Sequence, residues 1–311
     1  MRRRVLLGTL TLALLASSRA ARAEIATPFA LEPLDGALRP LGGLVLDREA
    51  FAGGGLSGLH LDSDLRLTAI TDRGQWVTAR LLMEDDRPIG VADLRTGPLR
   101  DGAGVPLPRG QGSDAEALAR LADGTWLVAF ERWHRIRAYR RLDGPGSFVE
   151  APPGIELAPR NGGLESLTVL ADGRWLAIAE NPLQGEEPGL RAAWLGGPGR
   201  WTRLAYRPTP GFDPTDAAAL PDGGALVLER RFSLWGGFTG RIVRLSPASM
   251  SAGGVLEGSE LLRLGPPLPS DNWEGIAVPR WQGRLLVAVV SDDNQSPLQR
   301  SLLLLFELRG R

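Results

Sequence analysis

The fold is decided by a stretch that occurs twice, first as E-A-L-A-R-L-A-D-G-T-W-L-V-A-F-E (116–131) and again as E-S-L-T-V-L-A-D-G-R-W-L-A-I-A-E (165–180). Each copy contains a short apolar strand, a D-G turn and a second apolar strand, which is the sequence pattern of a β-hairpin. The second strand, for example W-L-V-A-F, is apolar at every position instead of alternating. We therefore expect it to be buried on both faces.

Three more segments follow the same plan, and the starts of the five segments are 49 to 59 residues apart. A period near 50 residues is typical of a β-propeller, in which each repeat forms one blade. The three segments are S-G-L-H-L-D-S-D-L-R-L-T-A-I-T-D (57–72), T-D-A-A-A-L-P-D-G-G-A-L-V-L-E (215–229) and E-G-I-A-V-P-R-W-Q-G-R-L-L-V-A-V-V-S-D (274–292).

The number of blades follows from chain length. After residue 23 the chain has 288 residues, and about 48 residues per blade predicts six blades. The sixth blade would combine the strand near 41–47 with the final apolar run 302–308, which removes the free sheet edges. We predict one all-β domain over 24–311, a six-bladed β-propeller closed by pairing of its N- and C-terminal strands.

The first 23 residues have the pattern of a signal peptide. Three arginines at 2–4 precede an apolar run over 5–16, and A-R-A at 21–23 offers a small-x-small cleavage site. The arginines also fit the twin-arginine pattern, so export by the twin-arginine route and by the general secretory route both stay open. We expect a periplasmic or secreted protein cleaved near Ala23, whose mature chain is not inserted in a membrane.

Composition excludes several classes of function. Removing the first 23 residues deletes five arginines and no acids, which leaves 31 arginines against 36 acidic residues. This net negative charge argues against nucleic acid as a partner. The chain has no cysteine and no lysine, so thiolate and Schiff-base chemistry are excluded.

A histidine-ligated zinc site is disfavoured because the two histidines, His60 and His134, do not have the spacing of a zinc-binding motif. Ser57 is not within G-x-S-x-G, which argues against a serine hydrolase. The nine tryptophans, among them Trp126, Trp175, Trp235 and Trp273, are expected to fill gaps between blades.

Acidic residues recur at the open end of each hairpin. Glu116 and Glu131 flank the turn symmetrically, and an antiparallel hairpin brings such residues to the same end. Because all blades share one orientation, these ends should converge at one mouth. The residues expected there are Asp72, Glu116, Glu131, Glu165, Glu180, Asp216, Glu229, Glu274 and Asp292.

Crowded carboxylates raise one another's pKa unless a cation compensates, and calcium prefers such oxygen ligands. Arginine follows three of the acids, as Arg73, Arg132 and Arg230. A guanidinium beside a bound metal suits a phosphate ester. The alternative is that the acids and arginines simply pair with each other or cap loops.

The chain resembles the phytase-like family (esterase-like activity of phytase) of exported bacterial proteins. The resemblance rests on short motifs in order along most of the chain: G-G-L-S-G-L (54–59), T-D-R-G (71–74), D-A-E-A-L (114–118), R-N-G-G-L-E-S-L (160–167), P-T-D (214–216), L-E-R (228–230), D-N-W-E-G-I-A (271–277) and S-D-D-N-Q (291–295). It implies a propeller related to calcium-dependent β-propeller phytases. Those enzymes also use lysine around the phosphates, whereas this chain has only arginine.

These observations predict a calcium-dependent phosphoric-ester hydrolase acting on a small-molecule ester. The alternatives are a non-catalytic propeller that binds a ligand or protein, and a lactonase-like or carboxylesterase-like hydrolase. The predicted roles are catalysis for Glu116, Glu165, Asp216 and Glu274, metal binding for Asp72, Glu131, Glu180, Glu229 and Asp292, and substrate binding for Arg73, Arg132 and Arg230.

Overall fold

The computed structural model describes residues 25–110, 112–251, 253–296 and 298–310. The described chain is all-β, with two single-turn 3-10 helices, Ile155–Leu157 and Pro247–Ser249. No helix in this part of the chain is long and apolar enough to cross a membrane. The predicted signal peptide, residues 1–23, lies outside the described residues.

The strands of the described residues form five sheets, antiparallel except for the β14–β18 pair, which are the blades of a propeller. From the centre outward, blade one contains β3 (Leu56–Leu61), β4 (Arg66–Thr71), β5 (Gln75–Glu84) and β6 (Arg87–Pro98), and blade two contains β7 (Ala115–Arg120), β8 (Trp126–Phe130), β9 (Arg135–Tyr139) and β10 (Ser147–Val149). Blade three contains β11 (Leu164–Val169), β12 (Trp175–Ala179), β13 (Arg191–Gly196), β14 (Thr202–Arg207) and β18 (Val255–Glu257), the last pairing in parallel with β14. Blade four contains β15 (Asp213–Ala219), β16 (Ala225–Ser233), β17 (Gly237–Leu245) and β19 (Ser259–Leu264).

Blade five closes the ring. It contains β20 (Asn272–Ala277), β22 (Arg284–Asp292), β23 (Leu302–Leu308), β2 (Leu38–Leu46) and β1 (Ala26–Phe29), and the short β21 (Arg280–Trp281) also pairs with β22. The predicted pairing of terminal strands is confirmed, since β2 lies antiparallel to β23.

The predicted number of six blades is wrong, because the structure has five. The terminal strands β2 and β23 do not form a sheet of their own; they extend the sheet that β20 and β22 begin. The length estimate failed because blades use unequal numbers of residues. In blade one, β5 and β6 alone span 10 and 12 residues.

The core is divided into five apolar clusters, one between each pair of neighbouring blades. As predicted, the second strands are buried on both faces: residues 127–130 of β8 and 225–228 of β16 are fully inaccessible to solvent. Trp175 and Trp273 pack in the core as expected, whereas Trp235 does not, because its side chain is 100% exposed.

Asp216 ties the innermost strands together below the mouth. Its Oδ1 accepts the Ala217 N–H (2.8 Å) and its Oδ2 accepts the Ile276 N–H of blade five (2.8 Å). Leu59 of blade one donates a third backbone hydrogen bond. Burial raises the pKa of Asp216 well above its ordinary value, although these donors oppose the shift. The carboxyl group therefore satisfies backbone groups of three blades.

We predict that Asp216→Ala lowers the free energy of unfolding by about 2–4 kcal/mol, because it leaves buried N–H groups without an acceptor. Asp216→Asn, which keeps one acceptor oxygen, should cost about half as much. Urea unfolding measures both. The matched control is Asp143→Ala, which removes an exposed partner of Arg141 and should change stability by less than about 0.5 kcal/mol. Equal effects of Asp216→Ala and the control would rule out the proposed tie.

Candidate active site at the propeller mouth

A β-bulge interrupts the pairing of the innermost strand in every blade. In blades two, three and five, the extra residue is a glutamate: Glu116, Glu165 and Glu274. In blade four it is Thr215, and in blade one the bulge spans residues 57–58. A bulge turns its extra residue out of the ladder and is frequent beside active sites. Here the bulges bring three glutamates from three blades to the central mouth.

The second group of acids lies at the ends of the second strands. Asp72, Glu131 and Glu180 directly follow β4, β8 and β12, and Asp292 is the last residue of β22. Among the described residues, two groups of three carboxyl groups have oxygens within 4.8 Å of one another: Asp114, Glu116 and Glu131, and Glu131, Glu165 and Glu180. Glu131 belongs to both groups and is the centre of the acidic cluster.

The loop R-N-G-G (160–163) connects Glu131 and Glu180, two members of the group formed by Glu131, Glu165 and Glu180. The Gly163 N–H donates to Glu131 Oε1 (3.4 Å), and its carbonyl accepts the Glu180 N–H (2.9 Å). A side chain at residue 163 would collide with the His134 imidazole. Glycine at residue 163 therefore leaves room for the His134 ring beside Glu131.

Arg230 links three blades at the mouth. Its guanidinium donates to Glu180 Oε1 of blade three (2.9 Å), to Asn272 Oδ1 of blade five (2.7 Å) and to the Glu274 carboxylate. Burial alone would lower the pKa of Arg230, but Glu274 and Glu180 raise it above its ordinary value. Arg230 is therefore a permanent cation that neutralises part of the acidic cluster.

The other two predicted arginines are held differently. Arg132 forms an ion pair through Nε with the Asp114 carboxylate. Arg73 lies beside Asp72, with Nε 3.9 Å from Oδ1, which is too long for a hydrogen bond. Of the three, Arg73 has the weakest ion pair and is the best placed to bind an incoming anion.

Burial and mutual repulsion raise the carboxyl pKa values throughout the mouth. Burial raises the pKa of Asp72 to about 7, with Asp292 adding to the shift, and burial together with Asp114 raises that of Glu131 to about 7. The pKa of Glu274 rises to about 8 and that of Asp292 to about 6, again chiefly through burial.

The innermost glutamates are shifted further. The pKa values of Glu116 and Glu165 lie well above the ordinary value, first through burial and then through the surrounding carboxylates. The Ser57 hydroxyl donates to Glu116 Oε2 at 3.1 Å. The nearby arginines therefore neutralise only part of the negative charge of these carboxylates.

Two predicted site residues lie apart from this cluster. Asp216 is hydrogen-bonded to the backbone as described above. Glu229 Oε1 accepts the Tyr206 hydroxyl (2.6 Å) and the Thr209 N–H (3.0 Å), in the interface between blades three and four. The repeat pattern had placed the carboxylates of Asp216 and Glu229 at the mouth, but both accept hydrogen bonds away from the acidic cluster.

Sequence reasoning missed Asp114 and Asn272. Asp114 belongs to the first group of carboxyl groups, and the Asn272 amide donates to Glu274 Oε1 (2.7 Å) while accepting from Arg230. Both lie two residues before a bulged glutamate, within D-A-E-A-L and D-N-W-E-G-I-A. The signal that could have found them was the repeated spacing of a polar residue before Glu116 and Glu274.

The donor set fits a hard divalent cation. All ligands available from the two groups are carboxylate oxygens, which calcium prefers. Asp72 Oδ1 is buried and has no hydrogen-bond donor among the described residues. A cation in this cluster would relieve both the repulsion and the unmet hydrogen-bonding capacity.

The comparison with known families agrees with this arrangement. The family described as phytase-like, esterase-like activity of phytase, matches residues 52–295, which include blades one to four, strands β20 to β22 of blade five and all the carboxylates of the mouth. The chain belongs to this family.

The solved structures that are similar to the phytase-like chain are distant in sequence. A gluconolactonase from Xanthomonas campestris is 13% identical, with 91% of this chain and 97% of that chain covered and a TM-score of 0.46. A virginiamycin B lyase from Staphylococcus aureus is 12% identical, with 86% and 78% covered and a TM-score of 0.41. A search of curated protein sequences found no match.

We predict that, in a chelator, the stability of the phytase-like protein falls as pH rises from about 4 to about 8. Over this window the folded carboxyls bind more protons than the unfolded ones, since the pKa values of Asp72 and Glu131 rise to about 7 and that of Glu274 to about 8, so unfolding becomes easier with each step in pH. Thermal unfolding across this range measures the effect.

Glu131→Gln is the matched variant, and it should flatten the slope. Added calcium should oppose the fall in melting temperature, most strongly at the alkaline end of the range. A melting temperature that rises through this window in chelator would contradict the assignment of repelling carboxyls.

Proposed function

We propose that the mouth binds a divalent cation, with calcium the best candidate, and hydrolyses a small-molecule phosphoric ester. The proposal rests on one observation: Glu131, Glu165 and Glu180, and likewise Asp114, Glu116 and Glu131, bring carboxylate oxygens within 4.8 Å of one another in the centre of a propeller. Nothing in blade packing requires acids there. The family membership supports an esterase-type activity.

Each group at the mouth then has a distinct part. Glu131, Glu165 and Glu180, with Asp114 and Glu116, would hold the cation. When bound, the cation supplies charge compensation and Lewis-acid polarisation of the ester. Asp114 fixes Arg132, and Arg230 fixes the orientation of Glu180 and Glu274.

Glu274 is the best candidate for proton transfer. Its pKa rises to about 8, and a general base or acid works best when its pKa is near the working pH. Asn272 and Arg230 both donate to its Oε1, which fixes the orientation of the carboxyl group. Its second oxygen can accept a proton from water and return it to the leaving group. Arg73 would bind the anionic ester.

A carboxylic ester is the second candidate substrate, and one observation favours it. Arg132 and Arg230 already pair with carboxylates, so of the three predicted arginines Arg73 is the one left to bind an anion. A lactone or carboxylic ester needs no such binding group. Turnover of p-nitrophenyl phosphate and p-nitrophenyl acetate by the same preparation separates the two.

We also propose that the chain is exported to the periplasm or secreted after cleavage near Ala23. The supporting observation is the arginine-rich start and apolar run of residues 2–16. N-terminal sequencing of the mature protein checks this.

We predict that Glu131→Gln weakens calcium binding at least about 10- to 100-fold, the range seen when a group that only supports a ligand is lost, because Glu131 itself would be a ligand. Excess calcium should partly restore turnover. Glu165→Gln should likewise weaken calcium binding, because Glu165 would hold the cation, whereas Glu274→Gln should lower kcat at saturating calcium by about 100-fold or more. Steady-state hydrolysis against calcium concentration measures these changes.

The matched control is Glu260→Gln. Glu260 lies on the outer strand β19 and forms an ion pair with Arg241, and its substitution should leave calcium affinity and kcat unchanged. Full turnover by Glu131→Gln at limiting calcium would exclude the acidic cluster as the cation site.

Arg73→Gln should raise KM for the phosphate ester and leave KM for the acetate ester unchanged.

A further inference from the structure

Blade four extends beyond the mouth, whereas the corresponding strands of the other blades do not. Strands β4, β8 and β12 each end one residue before their carboxylate, and β22 ends at Asp292. In contrast, β16 continues four residues past Glu229 and pairs with β17 up to Ser233↔Gly237. We call residues 230–240 the finger.

The finger has an apolar tip that is exposed to solvent. The exposed fractions are 88% for Leu234, 100% for Trp235 and 57% for Phe232. The rings of Phe232 and Phe238 contact each other with centroids 4.9 Å apart. A two-stranded hairpin is marginally stable alone in water, and a contiguous exposed apolar patch usually marks a binding surface.

One face of the finger continues the surface of the mouth. Phe232 is two residues from Arg230 on the same strand, so the two side chains share a face, and Phe238 is paired directly opposite Phe232. A side chain at Gly240, which pairs with Arg230, would contact the Trp273 ring at 2.5 Å. This face is therefore directed toward β20, the strand that provides Glu274.

A second contact fixes the base of the finger beside the mouth. The Ser270 hydroxyl donates to the Phe238 carbonyl, and Ser270 lies in the segment that leads into β20. The aromatic pair is thus held next to the network of Arg230, Asn272 and Glu274.

Two other exposed apolar side chains lie on loops at the same end of the propeller. Trp133, 63% exposed, follows Arg132 at the end of blade two. Leu298, 92% exposed, lies in the loop after β22 of blade five. Apolar side chains from three blades are thus exposed at the end of the propeller that holds the acidic residues.

We propose that the finger binds the apolar part of the substrate, so that the ester cleaved at the mouth is amphiphilic, with one anionic ester group attached to an alkyl or aryl group. The inference rests on the proposed function, whose site it extends. Charge also favours it: a mouth with more carboxylates than arginines repels a polyanion but admits a single anionic group beside a cation.

The test compares two phosphonates that cannot be hydrolysed, methylphosphonate and hexylphosphonate, by calorimetry in the presence of calcium. We expect the full protein to bind hexylphosphonate at least about tenfold more tightly, because part of the alkyl chain is buried against the finger. The double variant Phe232→Ser with Phe238→Ser removes the aromatic pair next to the mouth and should reduce this preference to about twofold or less.

Phe148→Ser is the matched control. Phe148 is 69% exposed on the outer strand β10, and its loss should leave the preference unchanged. Thermal unfolding with calcium confirms that the variants are folded.

The outcomes separate this inference from the proposed function. A lost preference in the double variant supports the finger even if the protein hydrolyses no phosphate ester, in which case only the proposed hydrolysis fails. Turnover of a methyl phosphate ester with no preference for hexylphosphonate, or with a preference that the double variant retains, overturns the finger and leaves the hydrolase. Failure of both phosphonates to bind also overturns it. Binding to neutral phosphatidylcholine vesicles that depends on Leu234 and Trp235, without a hexylphosphonate preference, overturns it in favour of a membrane contact.

Discussion

Mutual repulsion of buried carboxylates is the constraint on which the mouth of this propeller depends. Burial raises the pKa values of Glu116, Glu131 and Glu165; Glu131 raises those of Glu116 and Glu165 further, and Glu116 adds to that of Glu165. Such a group is stable only if the rest of the fold holds it in place and something compensates its charge. The bulged inner strands, the Gly163 turn and the Arg230 network hold the carboxylates in place. Of these, only Arg230 carries a positive charge, and it compensates only part of the negative charge.

The architecture explains how a chain without cysteines tolerates this. Five apolar clusters, one between each pair of blades, and the pairing of β2 with β23 close the ring. Asp216 adds backbone hydrogen bonds across three blades directly below the acids. A rigid scaffold of this kind can place groups in positions that are unfavourable locally, which is common at functional sites.

The sequence predicted the hairpins, their spacing, the doubly buried second strands and the closure by terminal strands, because these follow from local apolar patterns. It failed on blade number, since unequal strand lengths are not visible in a mean period. It also misplaced one inner residue: the bulge position in blade four is Thr215, and Asp216, one residue later, faces the backbone of neighbouring blades. A one-residue shift on a strand reverses the direction of a side chain, and only the three-dimensional register shows it. Partners such as Tyr206 for Glu229 are distant in sequence and leave no local signal.

The most direct test of the account is anomalous diffraction from crystals of the mature protein in which calcium is replaced by terbium. The account predicts a peak among the carboxylates of Glu131, Glu165 and Glu180 or of Asp114, Glu116 and Glu131, with Arg230 still bridging Glu180 and Glu274. A mouth without a peak, in crystals that contain terbium at other acidic positions, would contradict it and leave the acids as partners of the arginines alone.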